Sequence, residues 1–234
     1  MSDIVFGIHA VREALGSGRG QLLIVQASNP RLDTLREQAK KLGIKVRSAA
    51  RQELDQRSAG VRHQGVALEV RPYHYASSER LLQDAGPIIA LDGVEDPGNL
   101  GAIIRSTYAL GGAGVVIPKH GAASVTPGAE RASAGAASLL PVVQVTNLAR
   151  TLDEYKKAGR WIFAADIKGK SALDDFDLAE PLVLVLGSEA KGIRPGVLKR
   201  CDGIFRLPMM RSFESLNVSV SAALCLDAVR RAKE

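Results

Sequence analysis

The feature that most constrains the fold is a series of short apolar runs between residues 87 and 208. Each run is nearly continuous in Val, Ile, Leu and Ala, and a stretch of helical character separates most of them from the next. Such alternation indicates a parallel sheet buried between layers of helices. We therefore expect an α/β domain over residues 87–234, with strands in PIIALDG, GVVIP, PVVQV, RWIFAAD, PLVLVLG and IFRLP.

A second, smaller α/β unit is predicted in the first 72 residues. The runs QLLIVQA and GVALEV read as strands, and an Asn-Pro start and a glycine stop delimit a helix over residues 30–43. Prolines, serines and charged residues then interrupt the pattern over residues 73–86, which we interpret as a linker.

The positive charge is concentrated in the first unit. Residues 1–72 hold 12 Lys and Arg against 7 Asp and Glu, whereas the remaining residues hold 19 against 18. A basic module beside a neutral one favours contact with a polyanion such as RNA, although a merely basic, soluble surface is the alternative. Aromatic residues make up only 4% of the chain, which favours contact with phosphate and sugar over stacking on bases.

Composition also excludes several classes of protein. No apolar run approaches the ~18–20 residues that span a bilayer, and no basic segment precedes an apolar core at the N-terminus. Two cysteines, Cys201 and Cys225, are too few for a disulfide framework, and the four histidines show no metal-ligand spacing. We expect a soluble, cytoplasmic protein with no metal site.

Three loops at predicted strand ends carry unusual residues: DPGNLGAIIRSTYALGG, LGSEAKGIRPG and LPMMRSFESLN. Ligands of open α/β sheets bind beyond the carboxyl ends of the strands. The loops lack the glycine patterns of dinucleotide-binding and P-loop proteins, and no Ser-His-Asp or Cys-His arrangement is favoured. A dehydrogenase, a P-loop NTPase or a triad hydrolase is therefore not indicated.

The polar candidates in these loops are Asn99, Arg105, Glu189, Ser215 and Asn217. Each of four has an ordinary structural interpretation. Asn99 and Asn217 are placed to cap helices, Glu189 to form a solvated turn, and Ser215 alone is uninformative.

Arg105 is harder to explain structurally, because its helix is expected to pack against the core. A buried guanidinium requires either an internal carboxylate or an anionic ligand. Gly101 and Ala109, about one turn away on either side, leave room for an approaching molecule. We favour the ligand.

The last helix, NVSVSAALCLDAVRRAKE, has two apolar sides. A terminal helix of this kind often packs both on its own sheet and on a second subunit, so a homodimer is expected. The first side comprises Val218, Ala222, Cys225 and Val229, and the second Val220 and Leu224.

Together the three loops resemble the SpoU (TrmH-like) RNA ribose 2′-O-methyltransferases of the SPOUT class. The motif N-x-G-x-x-x-R occurs from Asn99 to Arg105, G-x-E-x-x-G from Gly187 to Gly192, and S-L-N-V-S-V from Ser215. The resemblance covers residues 87–234. The first 72 residues look like the L30e-like RNA substrate-binding domain of some members.

The resemblance implies S-adenosylmethionine as cofactor, held in a deep trefoil knot by Gly187, Leu207 and Leu216. It also implies a homodimer, in which first-motif residues of one subunit lie near the cofactor of the other. The two-domain form most resembles the bacterial enzyme that methylates a guanosine ribose in the peptidyl-transferase loop of 23S rRNA. A tRNA-directed methyltransferase and a non-catalytic RNA-binding protein of ribosome assembly are the alternatives.

Arg105 is a poor general base, because the pKa of a guanidinium exceeds ~12. Our hypothesis is that Arg105 grips a phosphate next to the acceptor ribose. Asn99, Ser215 and Asn217 then orient the 2′-hydroxyl, and Glu189 fixes either the arginine or its loop.

Overall fold

The computed structural model describes residues 3–27, 29–211 and 215–233. The chain divides into two compact units, Met1–His74 and Tyr75–Glu234. The sequence predicts a linker over residues 73–86; of these, residues 75–86 belong to the second unit and include a short helix.

The first unit is a four-stranded sheet with helices on both faces. Its strand order is β1-β4-β2-β3, in which β2 and β3 are parallel and the other neighbours antiparallel. Leu15 and Leu35 are buried on one face of the sheet, and Leu54 on the other. The elements are β1 (Asp3–Phe6), α1 (Ile8–Leu15), β2 (Gly20–Gln26), α2 (Asp33–Lys41), β3 (Lys45–Ala49), α3 (Arg51–Ser58) and β4 (Val66–Val70).

The second unit contains a six-stranded sheet in the order β10-β8-β9-β5-β6-β7, and every pair of neighbours is parallel. The predicted α/β fold with a parallel sheet is confirmed. Its elements are α4 (Ser78–Leu82), β5 (Ile88–Asp92), α5 (Pro97–Ala109), β6 (Gly114–Pro118), α6 (Pro127–Ala132), β7 (Val142–Val145), α7 (Leu148–Lys157), β8 (Trp161–Ala165), β9 (Leu182–Gly187), α8 (Pro195–Leu198), β10 (Gly203–Phe205) and α9 (Val218–Ala232).

The strand order brings the functional loops together. The inner strands β5 and β6 are buried along their whole length, which explains why their sequences are apolar without alternation. Because the chain runs outward from β5 to β7 and then crosses to β8, the strand order reverses beside β5. Ligands of such folds bind next to this reversal, beyond the carboxyl ends of the strands. The strands whose carboxyl ends lie there are the neighbours β5, β9, β8 and β10.

Asp96 immediately precedes helix α5, and its side chain accepts a hydrogen bond from the Asn99 backbone N–H at 2.7 Å. Asp96 is therefore the cap of this helix, and Asn99 is not. Leu100 and Ile103 lie on the buried side of the helix.

Gly101 allows α5 to approach α6 closely. A Cβ atom at Gly101 would lie 2.3 Å from the Ala129 carbonyl oxygen and 2.5 Å from Ala132 Cβ. The prediction that Gly101 leaves room for a ligand is wrong, because the backbone of α6 fills that space.

Helix α9 has the two sides that its sequence indicates. Asn217 caps it, accepting a hydrogen bond from the Ser219 backbone N–H, and the predicted stripe from Val218 to Val229 is buried. On the other side, Val220 and Leu224 are 47% and 46% exposed. Within the described ranges, no helix is both long and apolar enough to cross a membrane.

Candidate functional site

A cavity of about 790 Å³ opens at the carboxyl ends of β8, β9 and β10. Its volume lies within the range of ~300–1,000 Å³ that is usual for small-molecule sites. The candidate residues Gly187, Glu189, Leu207, Ser215 and Leu216 all line it. The full lining comprises residues 165–168, 186–192, 206–211, 215, 216, 218 and 221.

The loop after β9 is fastened at both ends to Asp92, the last residue of β5. The Ser188 N–H donates to the Asp92 carbonyl oxygen at 3.1 Å, and the Arg194 N–H donates to Asp92 Oδ2 at 2.7 Å. Arg194 Nε also donates to Asp92 Oδ1 at 2.8 Å, and the Asp92 side chain is fully buried. This charged anchor holds the loop that forms one wall of the cavity.

Glycine allows the same loop to fold tightly back on itself. A Cβ atom at Gly187 would lie 2.2 Å from the Gly192 carbonyl carbon, and Gly192 has a φ of +63°. The turn is closed by the Gly192 N–H bond to the Ser188 carbonyl at 2.8 Å and the Lys191 N–H bond to Ser188 Oγ at 3.2 Å. Glu189 lies inside this turn and is exposed at its surface.

Three candidate residues from three loops meet beside the cavity. Asn217 Nδ2 donates to Glu189 Oε1 at 2.9 Å and to Asn99 Oδ1 at 3.0 Å. Glu189 Oε1 also accepts the Val218 N–H at 3.3 Å, at the start of α9. The cluster thereby ties the loop after β9 to the starts of α5 and α9. Asn99 reaches it within the same chain.

Hydrogen bonds within the protein use both side-chain polar atoms of Asn217. Its two N–H groups go to Glu189 and Asn99, and its oxygen accepts from the backbone N–H and the Oγ of Ser219 at 2.9 and 2.6 Å. An asparagine side chain has two donor hydrogens and two acceptor positions. Among the described contacts, the Asn99 amide nitrogen and the exposed Ser215 hydroxyl remain available to a ligand.

Arg105 lies apart from this cluster. Six residues along α5 from Asn99 correspond to about 9 Å along the helix axis and about 120° around it. Arg105 is exposed and does not line the cavity, so the expectation of a buried guanidinium is wrong. Residues 3–27, 29–211 and 215–233 provide no carboxylate that pairs with it. The bare surface around it comes from Gly98, Ala102 and Ala109, not from Gly101.

The thiols are not suited to nucleophilic chemistry. Burial raises the pKa of Cys201 and of Cys225 to about 12, so both stay protonated near neutral pH. The described part of the chain also contains no cluster of three His, Cys, Asp or Glu side chains that would hold a metal ion.

Sequence reasoning missed the anchor formed by Asp92 and Arg194. One signal was available: Asp92 is an acidic residue at the end of the otherwise apolar strand IIALD. Its partner is 102 residues further along the chain, in a turn that reads as solvated.

The fold and the site define an α/β protein whose ligand cavity is built from glycine-containing loops at the carboxyl edge of a parallel sheet. Two family profiles match the chain. The profile of the SpoU rRNA methylase family matches residues 86–227, and that of the RNA 2′-O ribose methyltransferase substrate-binding domain matches residues 4–76. The chain belongs to the SpoU family of RNA methyltransferases.

Similar proteins extend over nearly the whole chain. An uncharacterized tRNA/rRNA methyltransferase of Mycobacterium avium (strain 104) is 41% identical, over 98% of this chain and 77% of its own length. The crystal structure of the SpoU methyltransferase AviRb from Streptomyces viridochromogenes, in complex with AdoMet, has a TM-score of 0.70 at 25% identity, covering 98% of this chain and 89% of that chain. The structure of a putative TrmH-family RNA methyltransferase from Porphyromonas gingivalis has a TM-score of 0.65 at 28% identity, covering 98% of this chain and 90% of that chain.

Proposed function

We propose that this protein transfers a methyl group from S-adenosylmethionine to a ribose 2′-hydroxyl in RNA, most specifically to a guanosine of the peptidyl-transferase loop in 23S rRNA. The observation that carries the proposal is the hydrogen-bonded cluster of Glu189, Asn217 and Asn99 at the cavity. These are the residues that the three SpoU-like motifs contribute, and the fold brings them within hydrogen-bond distance.

The residues around the cavity suit S-adenosylmethionine. Gly187, Leu207 and Leu216 come from three separate segments of the lining and hold the cofactor largely through backbone groups. The close approach of Gly187 to Gly192 removes side chains from this wall and leaves the backbone exposed to a ligand. A trefoil knot of these segments is part of the proposal, and the AdoMet complex of AviRb supports the choice of cofactor.

The cofactor would supply an activated methyl group: the O–CH3 bond forms as the S–CH3 bond breaks, leaving S-adenosylhomocysteine, and the hydroxyl loses its proton. The protein's main task is then to hold the acceptor oxygen in line with the methyl group. Asn99 Nδ2 and the Ser215 hydroxyl orient the 2′-hydroxyl, because the hydrogen-bonding atoms of Asn217 are already used within the protein. Glu189 fixes the loop and the start of α9, and its described bonds do not involve Arg105. Arg105 holds the phosphate next to the acceptor ribose.

The first unit serves as an L30e-like RNA-binding domain. Its family description is that of a substrate-binding domain, and it carries most of the net positive charge. Since aromatic residues are scarce, this domain contacts phosphate and sugar and leaves base selection to shape and to hydrogen bonds.

The functional form is a homodimer in which Arg105 of one chain faces the cavity of the other. Two facts support this arrangement: Arg105 does not reach the cavity of its own chain, and α5 packs against α9. The outward sides of these helices expose Tyr108, Val220 and Leu224 by 46–49% each.

The test combines cofactor binding with mapping of the modified nucleotide. Purified protein is titrated with S-adenosylmethionine by calorimetry, then incubated with the labelled cofactor and 23S rRNA or tRNA lacking the modification. We expect binding and one 2′-O-methylated guanosine in the peptidyl-transferase loop.

The control is Asn99→Ala, which should bind the cofactor normally because Asn99 does not line the cavity, yet should not methylate RNA. Absence of cofactor binding would refute an enzyme and favour a non-catalytic RNA-binding protein. Methylation of tRNA alone would support the proposed reaction but show that the substrate is tRNA and not 23S rRNA.

A further inference from the structure

Four basic residues line the cavity, and all but Arg211 lie within four residues of the ends of three neighbouring strands. Lys168, Lys191 and Arg206 follow β8, β9 and β10, which are adjacent in the order β10-β8-β9. All three side chains are exposed, and all three residues line the cavity. With strands about 4.8 Å apart, the positions from which these loops emerge span about 10 Å of the sheet edge.

The lining also contains two carboxylates, Asp166 and Glu189, and neither forms an ion pair with these cations. Asp166 Oδ1 accepts the Lys168 backbone N–H at 2.9 Å, and Glu189 Oε1 accepts from Asn217 and Val218. Within the part of the chain that the structure describes, none of the three cations forms an ion pair.

Elsewhere in the second unit, many cations are paired. The Nζ of Lys156 lies 2.8 Å from Asp202, and the Nε of Arg150 lies 3.1 Å from Glu154. Arg200, Arg230 and Arg231 also have carboxylate partners. Unlike these residues, the three cations at the cavity mouth are without a carboxylate partner among the described residues.

In the first unit, the net charge is positive although several arginines already have carboxylate partners. Several of its arginines are engaged with their own carboxylates: Arg36 with Asp33 at 3.4 Å, Arg47 with Glu53 at 2.5 Å and Arg57 with Glu69 at 2.9 Å. Its excess of positive charge is a poorer guide to phosphate binding than the net count suggests, because a paired cation has less to gain from a new anion.

We propose that Lys168, Lys191 and Arg206 form a phosphate-binding rim that holds the RNA backbone across the mouth of the cavity. This inference rests on the proposed function, since it assigns the RNA path at the same site. A polyanion suits the rim better than the single carboxylate of the cofactor, because three cations on three strand ends can contact successive phosphates.

The test compares the salt dependence of RNA binding in two charge-matched triple variants. The rim variant carries Lys168→Gln, Lys191→Gln and Arg206→Gln. The control carries Arg80→Gln, Lys157→Gln and Lys199→Gln, which remove one arginine and two lysines that are likewise exposed, near the amino ends of the strands. The probe is a mixed-sequence single-stranded RNA of about 20 nucleotides, titrated from low to moderate salt by fluorescence anisotropy.

In the rim variant, the slope of log affinity against log salt should fall by about 2, at about 0.7 for each lost contact with single-stranded RNA. The control variant should keep the parent slope. The control variant should also keep the parent affinity for S-adenosylmethionine, measured by calorimetry, because its three residues lie outside the cavity lining.

Equal slopes in the two variants, with RNA binding and methylation by the parent protein intact, would overturn the rim and leave the proposed function standing. Loss of cofactor affinity in the rim variant without a change of slope would also overturn it, because the cations would then serve the cofactor. A parent protein that binds neither RNA nor cofactor would contradict the proposed function itself.

Discussion

Arg105 shows how the position of a side chain changes the meaning of a motif. Its spacing from Asn99 is that of the family motif, yet α-helical geometry turns the two side chains about 120° apart. Asn99 joins the cluster of its own chain, whereas Arg105 is exposed on another side of α5. An exposed guanidinium keeps its charge without a desolvation penalty, so it is available to bind an external phosphate.

Replacing Arg105 separates a phosphate clamp from a general base. We expect both Arg105→Lys and Arg105→Ala to lower kcat/KM by roughly 100-fold, since lysine lacks the planar fork that binds a phosphate bidentately. The measurement is the pH–rate profile of each variant from pH 7 to 10. Recovery of the lysine variant at raised pH, with a shifted profile, would instead support a base.

At the scale of single elements, the loop after β9 and helix α5 depend on long-range contacts. The loop takes its shape from Asp92 on β5, and α5 takes its position from the groove that Gly101 leaves for α6. Asp92 thus determines where the cavity residue Glu189 lies, and Gly101 determines where Asn99 of the hydrogen-bonded cluster lies. Neither Asp92 nor Gly101 lines the cavity itself.

Asp92→Asn should weaken S-adenosylmethionine binding about 10- to 100-fold. In the variant, the amide NH2 replaces one carboxylate oxygen that accepts a hydrogen bond from Arg194, so donor faces donor. The charge-assisted hydrogen bond is lost, and the loop after β9 that forms the cavity wall is held less firmly. Calorimetry with the cofactor measures the effect.

The matched control is Asp202→Asn. Asp202 likewise accepts a backbone N–H, from Ile162 at 2.9 Å, and pairs with Lys156, but it lies outside the cavity lining. Both variants should unfold at lower temperature, and only Asp92→Asn should lose cofactor affinity. An equal loss of affinity in the two variants would count against the anchor.

Gly101→Ala should lower the free energy of unfolding by about 1–3 kcal/mol, because the new methyl group overlaps the backbone of α6. Gly196→Ala provides the comparison, since a Cβ at that helical glycine meets no atom within 4 Å. Urea denaturation of both variants measures the difference. If Gly101→Ala were as stable as the parent, the close packing of α5 on α6 would be refuted.

At the scale of the whole molecule, the proposed site requires two chains. The cavity and the hydrogen-bonded cluster lie in one chain, while Arg105 and the apolar sides of α5 and α9 face outward. A second copy would both cover the apolar residues and provide the missing arginine.

Leu224→Asp should convert the dimer to a monomer, because a charge in an apolar interface is left without a partner. Light scattering coupled to size exclusion measures the mass of the particle. Leu139→Asp is the control, since Leu139 is 61% exposed and lies on neither α5 nor α9. A parent protein that is monomeric at micromolar concentration would contradict the proposed dimer.

Co-expression of Arg105→Ala chains with Glu189→Ala chains tests the shared site directly. In a mixed dimer, one cavity combines an intact Glu189 with the intact Arg105 of the other chain, so methylation should partly return. Activity no greater than that of either variant alone would place Arg105 and Glu189 of one chain in the same site.

The sequence by itself determined the features that depend on local periodicity and composition. The apolar runs predicted a parallel α/β domain, the Asn217 cap and the buried stripe of α9 followed from local rules, and the three motifs indicated the family. These features can be predicted from the sequence because strand burial, helix faces and caps depend on neighbours within a few residues.

The tertiary structure alone decided which candidate residues meet. Asn99 and Asn217 bond across 118 residues, and Asp92 and Arg194 across 102. It also showed Arg105 exposed and Gly101 packed against α6, the reverse of what helix periodicity suggested. Periodicity identifies the sides of a helix, but only the packing of distant segments determines which neighbour covers each side and which side faces solvent.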